Sequence, residues 1–497
     1  MTSLRGFIES SWRELPRAAA ARWASLFFSL YVLTLLISVA ASQAFLAAAG
    51  VAYIVHWLRV VRACHPLWRG PSFATLSTGF ARARERDAPL QNRGETPAPL
   101  ALYFPPVKLP LLLYCLATIN SVLWAEHPEA GGFALRKLLL FLILLLSVNL
   151  VASRRHLSGL LRGVFWAAAV AGLAGIAQFI IQYDRVLRHY HNRVYFYMTL
   201  TRTHGFMGHW MNFGGQQMLV FSALLAFVLL SGDVIPSGAR NLARLRGDAA
   251  AKDQNEIPRC ARNDSANKRA RAFYWLILGV VAVSVVLNFT RGVWLGCVVA
   301  SLYVLARWKP RTLWVVPVLL AVVLLGGPSL IRRRVSSVFH PKEDPALAIR
   351  LEMWHTGLRM VREHPWVGVG PDNIPLVYMK YLPPGTTPLL GYHDHLHDNL
   401  LQMAAERGLP CLIAWSWFML SLGWHILRIR RSLSRGRWVA DAAFAAWLAF
   451  VAEGFFEFNF GTTPVLMVFL FMMSTPFIAQ SIATRERGLS SPQRAQS

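Results

Sequence analysis

Apolar runs of about 17 to 25 residues recur along this chain, each long enough to cross a hydrocarbon core about 30 Å thick. Roughly twelve are present, near residues 23–40, 42–58, 103–124, 135–152, 160–182, 214–231, 272–289, 291–306, 312–330, 410–427, 438–457 and 463–482. A chain of 497 residues that is 55% hydrophobic and only 15% charged is too apolar for an ordinary soluble protein of several domains. It reads as an all-α polytopic membrane protein of about 12 transmembrane helices. The first run follows a basic stretch (Arg5, Arg13, Arg17, Arg22) with no A-x-A cleavage site, so it reads as a retained span.

Lys and Arg near span ends are held on the cytoplasmic side, and this sets the orientation. With a cytoplasmic N-terminus, 34 of the 51 Lys and Arg fall in the inner segments and tail, and 7 in the shorter outer loops. Both termini and two long basic loops, 59–99 and 232–271, are then expected inside. The net charge of +26 follows from topology and from attraction to anionic headgroups, so nucleic acid is not the expected partner. Cys64, Cys115, Cys260, Cys297 and Cys411 fall in inner loops or spans and suggest neither a disulfide nor a C-x-x-C metal framework.

The outer face carries a loop too long for a mere connection, residues 331–409. It separates a first membrane unit (1–330, nine spans) from a second (410–497, three spans and a cytoplasmic tail). Within it, RLEMWHTGLRMVREHPWVGVGP places Leu351, Trp354, Leu358 and Val361 on one helical face and leaves Arg350, Glu352, Arg359 and Arg362 polar. That pattern predicts an amphipathic helix on the outer leaflet or over the bundle, ended by His364-Pro365 and followed by a turn at Gly368–Pro371.

Three stretches, NFTRGVWLG (288–296), REHPWVGVGPDN (362–373) and HLHDNLLQMAAERGLP (395–410), in this order around one large outer loop, resemble the O-antigen ligase and polymerase superfamily. The resemblance covers roughly residues 160 to 480. It implies a GT-C-like transmembrane glycosyltransferase of the bacterial inner membrane, acting at the periplasmic face without a cofactor. Such enzymes move a glycan from undecaprenyl diphosphate to an acceptor hydroxyl. Ligases use lipid A–core oligosaccharide, polymerases use another glycan repeat, and protein O-oligosaccharyltransferases share the motifs.

A departing diphosphate gathers negative charge, so the site needs fixed cations, and arginine donates to phosphate oxygens in pairs. The resemblance places Arg291 of the T-R-G motif and Arg202 of TRTHGFMGHW on the diphosphate; headgroup snorkelling is the plain alternative. The acceptor hydroxyl must lose a proton, and a histidine near pKa 6.5 suits that task. The family pattern H-x-H-N-D-Y-L-Q, aligned on Gln402, puts His397 at the catalytic position. Asp398 and Asn399 stand in swapped order, and His395, Asp398 and Asn399 are candidates for positioning substrate. His393, His395 and His397 have spacings that also suit zinc, but the hydrolytic E-x-x-H context is missing, so no metal is expected. Glu453 and Glu457, four residues apart near the outer end of a span, share a helical face and either position the acceptor or make a structural pair. Arg350 and Arg359 either contact substrate phosphates or form the polar face of the amphipathic helix. A transporter or lipid flippase has the same span count, but it would carry its polar residues at the midplane in repeated halves, and no repeat is evident.

Overall fold

The computed structural model describes residues 19–64, 103–190, 194–231, 257–336, 345–385 and 393–490, and among these all regular structure is helical. In chain order the helices are α1 (Ala19–Thr34), α2 (Val39–Cys64), α3 (Lys108–Leu123), α4 (Gly132–Leu138), α5 (Leu142–Leu150), α6 (Arg154–His189), α7 (Val194–Leu200), α8 (Trp210–Leu230) and α9 (Ile257–Leu287). There follow α10 (Arg291–Trp308), α11 (Val315–Gly326), α12 (Ser329–Ser336), α13 (Pro345–Glu363), α14 (Ile374–Tyr381), α15 (Asn399–Ser432), α16 (Arg437–Gly454) and α17 (Thr463–Ser490). Each apolar run lies on helix, and 7 helical stretches are long and apolar enough to cross a membrane. The count of twelve goes further than that. α1 and α3 have only 16 residues, α11 has 12, and α10 and α16 carry charges at or near both ends: Arg291 and Arg307 on α10, Arg437, Asp441 and Glu453 on α16. Most of the two long basic loops lies outside the described residues. Their described margins are helical, since α2 runs to Cys64 and α9 begins at Ile257.

α8 and most of α17 are buried nearly all round, as befits helices at the centre of a bundle. Gln216 on α8 donates to the carbonyls of Leu35 (3.0 Å) and Pro464 (3.1 Å), which ties α1 and α17 to it without stranding a polar group. One end of the bundle collects the start of α6 and the end of α17, where Arg154 meets Glu486 at 2.8 Å. The opposite end gathers the α6–α8, α9–α10, α11–α15 and α16–α17 connections, and every candidate residue lies there.

The expected amphipathic helix is α13, and it packs on α15. Its buried face differs from the expected one: Met353, Thr356, Gly357 and Met360 face inward, while Leu351 and Leu358 are 43% and 45% exposed. The neighbours decide the face, because Gly357 admits Leu396 and Leu401 so closely that a Cβ there would lie 2.6 Å from Leu396 Cδ1. Glu352 is also buried rather than solvated, and it accepts from Tyr378 Oη at 3.0 Å. α15 starts at Asn399, well before the expected span at 410, and breaks at Gly408 (φ 79°).

The segment after α13 docks in that break. Val369 and Gly370 donate to the carbonyls of Ala405 and Glu406 (both 2.9 Å), Leu409 donates to Pro365 O (2.8 Å), and Ser121 Oγ from α3 donates to both Val367 O and Glu406 O. Two glycines interlock backbone to backbone. A Cβ on Gly408 would sit 2.3 Å from Trp366 O, and one on Gly368 (φ 68°) 2.3 Å from the Glu406 carbonyl carbon. Gly408→Ala combines a backbone clash with a left-handed conformation, so it should destabilise the protein by roughly 1–3 kcal/mol. Thermal unfolding in detergent would read this as a lowered midpoint, with Gly50→Ala on α2, where an added Cβ meets nothing within 4 Å, as the control. An unshifted midpoint for Gly408→Ala would mean that the two segments are not interlocked.

Candidate functional site

Among the described residues only three non-glycine residues adopt left-handed backbone: Phe289 (φ 58°), Asp372 (φ 59°) and His397 (φ 52°). Each lies in one of the three stretches singled out from the sequence. Strain of this kind costs about 1–3 kcal/mol and persists only where the surroundings over-determine it. For His397 they do. Leu396 is fully buried, its N–H donates to Gln402 Oε1 (2.7 Å) and its carbonyl accepts from Trp354 Nε1 (3.1 Å). Asp398 caps α15 by accepting from Leu401 N (2.7 Å), and burial raises its carboxyl pKa despite those backbone donors. Asn399 is buried, donating to Asn459 Oδ1 (2.7 Å) and accepting from Phe460 N (3.2 Å). The swapped Asp-Asn pair therefore builds the helix start and its anchor.

With Leu396 pinned, His395 and His397 emerge on one side, their rings 4.2 Å apart, and both meet Glu457. His395 Nε2 lies 2.8 Å from Glu457 Oε1, and His397 Nδ1 lies 3.1 Å from Oε2. Glu457 is not on a helical face with Glu453: α16 ends at Gly454, and the following turn aims Glu457 at the histidines. Glu453 points into the bundle and accepts from Asn459 Nδ2 (3.1 Å), which is a structural pairing. Burial alone would raise the Glu457 carboxyl, but the charge of His397 and the two histidine hydrogen bonds outweigh it and hold it well below the usual carboxylate range. Burial lowers the affinity of His395 for its proton, yet the hydrogen bond and charge of Glu457 raise it above the ordinary value. The contribution of Glu457 to stability is thus present above its unfolded pKa and lost as pH falls through the depressed one. That of His395 is present below its unfolded pKa and lost as pH rises through the elevated one.

His397 donates from Nδ1 to Glu457, which leaves the lone pair on Nε2, the arrangement a general base requires. His393 lies apart, stacked on Tyr378 at 4.3 Å with Nδ1 buried. The three-histidine zinc arrangement is therefore not what the fold assembles. The group with ligand atoms close enough for a metal is His395, His397 and Glu457, all within 4.8 Å of one another.

The arginines converge beside this pair. Arg202 donates from Nε to Thr199 O (2.8 Å) and lies 5.3 Å over the Trp210 ring. Its loop is held to α6 by Gln178, which accepts from the Gly205 N–H (2.9 Å) and donates to the Gly205 carbonyl (2.8 Å). Asn288 donates to Thr203 O (2.9 Å) and Trp210 O (3.0 Å), and so fixes the NFTR turn against that loop and brings Arg291, the first residue of α10, next to Arg202. Burial weakens the hold of Arg202 on its proton, the positive fields of Arg334, Arg350 and Arg291 weaken it further, and Glu457 opposes them. Arg359 is turned elsewhere, donating to Leu382 O (2.8 Å). Two members of this neighbourhood escape a sequence reading. Arg334 sits last in an Arg-Arg-Arg run at 332–334, and His209 caps α8 while sensing Glu457, His395 and Arg202.

Residues 275–416 match the family described as O-antigen ligase. This match, over less than a third of the chain, supports the O-antigen ligase superfamily. No curated protein matches the chain. The matched segment contributes Arg291, Arg334, Arg350, His395 and His397, while Arg202, His209 and Glu457 come from outside the matched residues and close around it. The match supports a glycosyltransferase-like enzyme of the ligase and polymerase type, and the apolar helices are those expected of a multi-pass membrane protein.

Proposed function

We propose that the protein transfers a glycan from undecaprenyl diphosphate to an acceptor hydroxyl, with lipid A–core oligosaccharide as the acceptor. The observation that carries this reading is the placement of an oriented histidine–carboxylate pair beside a group of arginines at one end of a membrane bundle. His397 Nε2 takes the proton of the acceptor hydroxyl as its oxygen attacks the anomeric carbon. The bond from that carbon to the diphosphate oxygen breaks, and the electron pair leaves with the diphosphate. Arg202 and Arg291 neutralise the departing charge, and Arg350 lies close enough to share in it. Glu457 holds His397 in the required tautomer and stabilises the imidazolium that forms, and His395 steadies Glu457. A polymerase, joining one glycan repeat to another, uses the same chemistry with a different acceptor.

Gene deletion followed by analysis of surface polysaccharide tests the reading. Lost attachment with intact chain length supports the ligase, lost chain length supports the polymerase, and unchanged polysaccharide overturns both. The site belongs on the periplasmic face of the inner membrane, because the charge pattern of the sequence assigns the basic loops to the cytoplasmic side. Single cysteines placed at 385 and at 80 in a cysteine-free background check this. A membrane-impermeant reagent should label the first in intact cells and the second only after permeabilisation. The reverse pattern would put the site on the wrong side for a periplasmic transfer.

A further inference from the structure

We infer that Gln402 and Glu406 are positioning residues for His397, a two-step relay buried inside α15 that sets the direction in which the histidine leaves the backbone. The inference rests on the transfer reading above and gives a role to two residues that the proposed chemistry leaves unused. Neither reaches a substrate, since Gln402 is fully buried and Glu406 is 1% exposed. Gln402 Oε1 accepts from the Leu396 N–H at 2.7 Å, and its Nε2 donates to Glu406 Oε1, one helical turn further on, at 2.8 Å. From the other side, Trp354 Nε1 of α13 donates to the Leu396 carbonyl at 3.1 Å. The peptides on both sides of Leu396 are therefore held, and the left-handed His397 (φ 52°) follows directly from the second of them.

The relay works only with these groups in this order. An amide has an acceptor at one end and donors at the other, so Gln402 serves Leu396 only when its oxygen faces the N–H. Its NH2 then needs an acceptor, and Glu406 supplies one. Among the described residues, three donors surround the Glu406 carboxylate: Gln402 Nε2 and the Asp372 N–H (3.0 Å) at Oε1, and Arg407 Nη1 at 2.8 Å from Oε2. A carboxylate accepts at both oxygens. A glutamine at 406 would turn its own NH2 toward the donors on one side, and Gln402 would lose the partner that fixes its orientation. The pair with Arg407 makes a buried carboxylate tolerable. Asp372 is the strained residue of the docked segment, so the oxygen that orders the histidine stretch also ties that stretch to the segment.

The test uses the purified full-length protein with an undecaprenyl-diphosphate-linked glycan as donor and lipid A–core oligosaccharide as acceptor. Gln402→Met keeps the length of the side chain but removes both hydrogen bonds, and it leaves Glu406 paired with Arg407. Glu406→Gln breaks the relay from its far end. Each should lower kcat by about 10- to 100-fold with both KM values within about twofold of the parent, since the base is misaligned while the arginines still hold the diphosphate. Thermal unfolding is the control for folding, and Gln402→Met carries the test if Glu406→Gln, which strands Arg407, fails to fold. The readout that a merely structural role would not give is the double variant. In a His397→Ala background, Gln402→Met should cost nothing further, because a residue that acts through His397 has nothing left to position. A parent-like kcat for Gln402→Met, or an equal fold-loss with and without His397, would overturn the inference. A His397→Ala enzyme as active as the parent would instead bring down the transfer reading, and the relay with it, which is a different result.

Discussion

His397→Ala should reduce glycan transfer by about 10²- to 10⁴-fold while leaving the affinity for the lipid-linked donor nearly unchanged. The reduction follows from the one ring nitrogen that Glu457 leaves available, and the retained affinity from the arginines that hold the diphosphate. Glu457→Gln should fall less steeply than His397→Ala, because the base remains but loses its orientation and the charge that stabilises its protonated form. His393→Ala should retain most activity, because its ring stacks on Tyr378 away from the pair.

The same experiment weighs a metal. His395, His397 and Glu457 are close enough to share an ion. A site of that kind would make His395→Ala, His397→Ala and Glu457→Gln similarly damaging and would render the purified enzyme sensitive to a chelator. A proton-transfer site predicts unequal losses and indifference to chelation. Equal losses with chelator sensitivity would sink the role given to His397.

Some of this was legible in the sequence, and the boundary has physical reasons. Apolar length marks a membrane helix whatever its neighbours, so every run identified from the sequence lies on helix. The buried face of α13 is different. Both of its apolar stripes satisfy the same periodicity, and Gly357 against Leu396 selects Met353 and Met360 over Leu351 and Leu358. Glu457 was visible as an intramembrane acid, yet its partner was not, because the helix carrying Glu453 stops three residues too soon for the two acids to share a face. Arg334 was hidden inside an arginine run. Three arginines shortly after an apolar run, on the side that the charge count predicts to be outer, were the signal that could have found it.

Arg291→Lys, which keeps the charge, should nevertheless cost about 30- to 1,000-fold in transfer, equivalent to roughly 2 to 4 kcal/mol of transition-state stabilisation. The size follows from how the residue is held. Phe289 is strained and capped by Arg334, and Asn288 is bonded to both sides of the Arg202 loop, so the origin of the Arg291 side chain is fixed before any substrate arrives. A planar fork on a fixed stem can meet two phosphate oxygens with little further loss of freedom, whereas an ammonium meets them as a single point. The difference should grow as the bond to the sugar lengthens, since charge accumulates on the bridging oxygen only then. The lysine variant should therefore show its loss mainly in kcat, with a smaller rise in donor KM, when both proteins are compared at equal expression and equal thermal midpoint. Near-normal kcat in Arg291→Lys would mean that the guanidinium meets lipid headgroups rather than the leaving group.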